Sequence, residues 1–232
     1  VELKNAGFDI DKIKIPDRVY LLADDIFDEM VSRNVGEYRY PLGGKLYVFN
    51  KNENIGFIKG HMCSPAIATQ AEDLIAGGVK ELIHVGYAGG LQPELVPGEI
   101  ILTDGAFNDT AVARLYGYDY DIIHSSKDLT NEIEEMITSA EILYKRGIHW
   151  TTDAGYRETW GQVMDYRDKG ALCVEMEGVG LFTIANYRKC VATGIYVVSD
   201  VYLEDDWKLG WEGNDIKEAV GEIIDMIIKS MR

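Results

Sequence analysis

Residues 190–200, CVATGIYVVSD, carry no charge until their last position. A strand that alternates apolar and polar residues can lie with one face in water, but a run apolar on both faces needs cover on both. Helices packed on the two sides of a sheet supply that cover, so the segment predicts a buried strand inside an α/β fold. This requirement narrows the choice of architecture more than any other stretch of the chain.

The rest of the chain alternates in the same sense. Residues 45–49 (KLYVF) and 54–60 (NIGFIKG), separated by four polar residues, predict a hairpin. Residues 64–78 predict a helix, with Ser64 as its N-cap, Pro65 in its first turn and glycine at its end. A buried strand is expected over 80–90 and another over 98–107, followed by a helix over 128–147 and a strand over 147–153. A helix is expected over 180–189. In the last segment Ile216, Val220, Ile223, Ile224, Ile227 and Ile228 form one apolar stripe, with Asn214 as the expected cap. No proline- or serine-rich linker and no repeat interrupts this order, so residues 1–232 are expected to form a single domain.

Composition excludes several partners. The formal charge of −16 leaves no basic surface to replace the counterions of a nucleic acid or to meet an anionic membrane. Three cysteines, Cys63, Cys173 and Cys190, are too few for a disulfide framework and lack zinc spacing; buried free thiols are expected. Neither a leader-like opening nor a stretch of membrane-spanning length is visible, and the expected location is cytoplasmic. No metal motif is present, and no cofactor is expected.

Functional residues of an α/β sheet gather at the carboxyl ends of its strands. Gly86, Gly89 and Gly90 would let the backbone turn after residue 86 and aim N–H groups at an anion, or would simply make the turn. Neither a P-loop nor a dinucleotide fingerprint is formed there. Asp200 ends the apolar strand, where it could cap a turn or, as a partly desolvated acid with raised pKa, give a proton to a leaving group. Residues 173–182, CVEMEGVGLF, place Glu175 and Glu177 in apolar surroundings. One carboxylate could serve a helix start, but a cap needs only one, and an ionised carboxylate can accept two hydrogen bonds from a vicinal diol such as that of a ribose. His84 in its apolar strand reads as a core residue or as a ligand for a base or an anion.

Assembled, these segments resemble the nucleoside phosphorylase family of the uridine phosphorylase, hexameric purine nucleoside phosphorylase and methylthioadenosine/S-adenosylhomocysteine nucleosidase type. The resemblance is carried from about residue 40 onward by GYAGGL (86–91), PGEIILTDGA (97–106), TTDAGYRE (151–158), VEMEGVG (174–180) and VSD (198–200). It implies a central mixed β-sheet partly closed into a barrel and surrounded by helices. It further implies that Glu177 holds the ribose 2′- and 3′-hydroxyls, with Met176 beneath the sugar and Glu175 in support. Asp200, preceded by Ser199, would protonate or hydrogen-bond N7 of a purine, and Tyr156 would contribute to the base site. A homo-oligomer, dimer or hexamer, is implied as well.

Departures from the family pattern cluster at the phosphate. The arginine of an N-terminal Gly-Asp-Pro-x-Arg is matched only by Arg18 in IPDRV; Arg-Glu-Tyr before the hairpin reads Gly36-Glu37-Tyr38. His84 stands where an arginine is expected, and Tyr87 follows Gly86 in place of a small hydroxyl residue. The stacking aromatic of the base site is Gly155, for which Trp150 or Trp160 could substitute, both also candidates for the core. Residues 202–213 could form a lid over the base or a solvated loop. Phosphorolysis of a purine-type nucleoside, with phosphate as co-substrate, is the leading expectation. Hydrolysis, with water activated by Asp17, Asp24, Asp25 or Glu29, and nucleoside binding without chemistry are the alternatives.

Overall fold

A computed structural model describes Gly7 and residues 13–203, 207–210 and 213–231. Strands β1 (Arg18–Leu22), β2 (Gly36–Pro41), β3 (Lys45–Phe49), β4 (Asn52–Lys59), β5 (Glu81–Gly90), β6 (Ile100–Asp109), β7 (Ile122–His124), β8 (Tyr144–Thr152), β9 (Cys173–Glu175), β10 (Val191–Tyr202) and β11 (Trp207–Leu209) join one mixed sheet. Helices α1 (Asp24–Ser32), α2 (Ser64–Gly77), α3 (Val112–Leu115), α4 (Lys127–Ser139), α5 (Trp160–Asp168), α6 (Gly178–Arg188) and α7 (Asn214–Lys229) surround it.

The apolar run is β10, buried throughout its interior as the absence of charge demands. It pairs in parallel with β5 along most of its length and antiparallel with β6. Because β6 pairs with β8, β8 with β9 and β9 with β5, the five strands close into a small barrel. The remaining strands extend the sheet through β1 and β4 to the β3–β2 edge. Cover comes from two sides. Ile216, Val220, Ile223, Ile224 and Ile227 of α7 join α1 and α4 in one core, while α2 and α6 pack together over the other. Each fully buried aliphatic side chain contributes about 1.5–3 kcal/mol.

Several expectations need correction. The helix over 128–147 stops at Ser139, because Glu141 takes φ 58° and Tyr144 already begins β8. Ser64 is not the cap of α2; Cys63 occupies that place without a side-chain cap, and Gly213 rather than Asn214 precedes α7. The expected turn at Gly86, Gly89 and Gly90 is absent, since all three lie within β5. They serve close approach instead: a Cβ on Gly89 would stand 3.2 Å from Asp200 Oδ2 and 3.1 Å from the Tyr202 ring. Of the expected loop over 202–213, residues 207–209 pair with β10 as β11. Asp205, Asp206 and Trp211 lie outside the described residues, so the lid expectation does too. Cys173 is buried, but Cys63 and Cys190 are only half-buried. Among the described residues no helix is long and apolar enough to cross a membrane.

Candidate active site

The stretch Cys173–Glu175 is β9, and α6 begins at Gly178, so Met176 and Glu177 form the link between them. Glu175 is 5% exposed, a place where a charge needs several donors. Its Oε2 accepts the backbone N–H of Glu177 and of Gly178, both at 2.8 Å. Its Oε1 accepts the Thr151 hydroxyl at 2.5 Å and lies 2.9 Å from His149 Nε2. The imidazole is held from behind by Thr103, whose Oγ1 lies 2.6 Å from Nδ1. Burial pulls the Glu175 carboxyl upward, but His149, with the hydrogen bonds from its ring and from Thr151, outweighs it and holds the group below the usual range. Glu175 is therefore ionised, and it satisfies the amino end of α6. Gly178 makes room for the pair, since a Cβ there would stand 2.5 Å from His149 Nε2.

Glu177 makes no side-chain cap on α6. It turns instead toward the start of α2, where Oε1 accepts the Cys63 N–H at 2.7 Å. Oε2 accepts the N–H of Met176 at 3.3 Å. Burial, and then the charge of Glu175, push its pKa up to about 8. Ser64 donates its hydroxyl to the Met176 carbonyl at 3.0 Å and fixes the link from the same side. Cys63 adopts φ 74°, ψ 149°, a conformation that L side chains rarely take, in order to present that N–H. Cys63→Gly is accordingly expected to raise stability by roughly 1 kcal/mol while leaving the Glu177 contact in place. A lowered melting midpoint in a thermal scan would contradict the strain. The Cys63 thiol, raised by burial and by Glu177, stays protonated and is a poor nucleophile.

Asp200 stands across the barrel wall from this link. In the β5–β10 ladder Val198 faces Ala88 while Asp200 faces Gly89, so Ser199 is the extra residue of a bulge. Asp200 is 8% exposed, and the Ser199 hydroxyl donates to its Oδ1 at 2.6 Å. Gly89 faces Val174 on its other side, so Asp200, Gly89 and Val174 form one row across β10, β5 and β9. Two strand spacings put the Asp200 and Val174 backbones about 10 Å apart. Beyond Asp200 on the same strand, Tyr202 donates its hydroxyl to Glu158. Burial raises the Glu158 carboxyl, Tyr202 opposes that, and Asp200 adds to it.

The expected phosphate residues are placed less favourably. Arg18 opens β1 and is held by Glu81 at 2.6 Å and Glu132 at 2.7 Å. It lies opposite Glu81, the first residue of β5, roughly 13 Å of strand from the carboxyl end of β1. His84 is 4% exposed with Nδ1 3.4 Å from the Tyr196 hydroxyl, and burial lowers its pKa to about 4. It is therefore neutral at pH 7 and supplies no cation. Its ring lies over Gly86, 3.0 Å from where a Cβ would stand. Tyr87 donates its hydroxyl to Asp25 Oδ2 at 2.6 Å. Of the other candidate acids, Asp17 pairs with Lys80, Asp24 with Lys59 and Glu29 with Arg33. Tyr156 is fully exposed on the short 3-10 turn Gly155–Arg157. Trp150 is wholly buried and stacks on Tyr166 at 4.3 Å, which makes it core, and Trp160 is partly exposed beneath Arg167.

Ligand atoms of His84, Glu175 and Glu177 lie within 4.8 Å of one another, a spacing a metal ion could use. Yet all four carboxylate oxygens already accept N–H or O–H donors. Both oxygens of Glu175 would have to give up the donors that hold them, and the donor set fits hydrogen bonding better.

A phosphorylase superfamily model matches residues 15–229. The chain belongs to the phosphorylase superfamily. Among relatives, the purine nucleoside phosphorylase DeoD-type of Exiguobacterium sibiricum is 29% identical over 188 residues, covering 80% of this chain and 78% of that protein. The purine nucleoside phosphorylase DeoD-type 1 of Shewanella oneidensis is 26% identical over 219 residues, covering 92% and 90%. In three dimensions this phosphorylase-superfamily chain superposes with a TM-score of 0.80 on the purine nucleoside phosphorylase of Toxoplasma gondii, solved in complex with immucillin-H. That pair shares 19% identity, with 94% of this chain and 90% of the other covered, and establishes a common fold.

His149, Thr151 and Thr103 were not singled out from the sequence. The signal present was His149 and Thr151 two positions apart in an apolar strand, hence on one face. The Cys63 N–H carried no signal at all, being a backbone group.

Proposed function

We propose that this chain cleaves the N-glycosidic bond of a purine-type nucleoside. The observation that carries the proposal is the pairing of two differently tuned glutamates with an aspartate across one strand. Glu175 is committed to the protein, whereas Glu177, beside it, accepts two backbone N–H groups and retains lone pairs for a diol. Ionised Glu177 would hold the 2′- and 3′-hydroxyls, with Met176 beneath the ring. Asp200, steadied by Ser199, would share or give a proton at N7 as the bond to C1′ lengthens. Fixing the sugar and the base at two ends favours the oxocarbenium-like transition state by position and by charge.

Phosphate as acceptor, giving ribose-1-phosphate, follows the names of the relatives. Water as acceptor is the second reading, and a specific observation favours it. The positions expected to be cationic hold a neutral His84 and a Tyr87 hydroxyl bound to Asp25, at the carboxyl end of β1 where an anion would be repelled. Incubation with adenosine, inosine and methylthioadenosine, with and without phosphate, tests both. Free base in either buffer supports cleavage, and ribose-1-phosphate or free sugar identifies the acceptor. If every nucleoside stays intact while one raises the melting midpoint, the chain is a binder and the cleavage proposal fails. A homo-oligomer whose neighbouring subunit covers the exposed Tyr156 and Met62 belongs to the same proposal.

A further inference from the structure

Glu158 takes no part in holding the sugar or the acceptor, yet it is turned into the same cleft. Asp200 and Tyr202 are two positions apart on β10 and share a face. Tyr202 donates to Glu158 Oε2, which leaves Oε1 with no hydrogen bond to any described residue. Arg167 fixes this corner by donating to the Tyr202 carbonyl at 2.6 Å and to the Leu91 carbonyl. A Cβ on Gly155 would stand 3.5 Å from Glu158 Oε1 and 3.7 Å from Met176 Sδ. The carboxylate and the thioether thus flank one point, and with glycine there no side chain fills it. A side chain at 155 would start in contact with Oε1.

We propose that Glu158 is a specificity residue that selects a 6-aminopurine base, its Oε1 accepting the exocyclic N–H of adenine while N7 faces Asp200. The inference rests on the nucleoside reading above. N7 and the 6-substituent lie on the same edge of a purine; Asp200 and Tyr202 share one face of β10, and the Tyr202 hydroxyl brings the Glu158 carboxyl group beside them. Because the Tyr202 hydroxyl donates into the carboxyl group, the group is held as an acceptor. An acceptor meets an amino group favourably and a 6-carbonyl oxygen unfavourably, as a polar site discriminates by what it would leave unpaired.

The test compares kcat/KM for adenosine and inosine in the wild type, Glu158→Gln and Tyr202→Phe. The wild type is expected to favour adenosine at least about tenfold. Glu158→Gln, whose amide can donate to a 6-carbonyl, should lower that ratio at least about tenfold, and Tyr202→Phe should lower it partially. A merely structural role would depress both substrates equally and leave the ratio unchanged, which would overturn the proposal, as would a wild type favouring inosine. Thermal shifts with free adenine and free hypoxanthine separate this inference from the cleavage reading. If no nucleoside is cleaved but adenine stabilises the wild type and not Glu158→Gln, the base-reading role stands alone. If neither base shifts the wild-type midpoint, it falls.

Discussion

Glu177→Gln is expected to abolish nucleoside turnover and, at alkaline pH, to make the protein more stable. The first effect follows from removing the only carboxylate at the β9–α6 link whose lone pairs the protein does not consume. A drop of at least about a hundredfold in kcat/KM is expected, in line with loss of a charge-assisted contact that holds the reacting sugar. The second follows from the buried like charge. Burial, and then the charge of Glu175, push the Glu177 carboxyl from an ordinary 4.5 up to about 8 in the folded chain. Between those values the folded state binds a proton that the unfolded state has lost, so stability falls as pH rises from about 4.5 to about 8 and stays lowered above. Glutamine keeps the shape and, through its one amide oxygen, the acceptor for the Cys63 N–H at 2.7 Å, giving up only the longer contact with the Met176 N–H, and it carries no charge. Melting curves should therefore show the variant ahead of the wild type at pH 9, by several degrees for a chain of this size, and level with it below pH 5. Parallel curves at every pH would show that Glu177 carries no such penalty. The same shift predicts that nucleoside binding releases a proton at pH 7, measurable by calorimetry in two buffers of different ionisation enthalpy.

Asp200→Asn is expected to lower kcat for adenosine by about 10²–10⁴-fold, the usual range for loss of a general acid. The amide can still accept from Ser199 at Oδ1, so the bulge should hold and the melting midpoint should move little. Discrimination between a chemical and a structural role comes from the leaving group. In 7-methylguanosine the base already carries the positive charge, so the deficit of Asp200→Asn should shrink on that substrate. Equal deficits on both nucleosides would place Asp200 outside proton transfer.

Most of the architecture could be read from local pattern. The unbroken apolar run of β10 required cover on both faces, and the hairpin appears as β3 and β4 with Tyr47 opposite Phe57. The misreadings have local causes. Strand β2 (GEYRYP) is largely exposed at the sheet edge, so it shows no apolar alternation to detect. Helix α4 was extended through Glu141 because its left-handed φ leaves no mark in composition.

In the site, the two glutamates stood out because carboxylates in an apolar run demand donors. Which donors they found was not legible. His149 and Thr151 reach Glu175 from β8, and the Cys63 N–H reaches Glu177 from the start of α2; both are long-range contacts. The proposed division of labour, Glu177 for the sugar and Glu175 in support, is already implied by the family resemblance; the fold adds its physical reason, since protein donors take up Glu175. The end of the sheet at which Arg18 sits was not legible for the same reason: a strand's first and last residues look alike in sequence but lie at opposite ends of the sheet.

The central claim is that Glu177 stands in the core for a sugar diol. Calorimetric titration of Asp200→Asn protein, in which turnover is suppressed, with adenosine and with 2′,3′-dideoxyadenosine tests it most directly. The account predicts that adenosine binds at least about tenfold more tightly and that adding Glu177→Gln to that background removes the difference. Equal affinity for the two nucleosides, or a difference that survives the loss of Glu177, would contradict it.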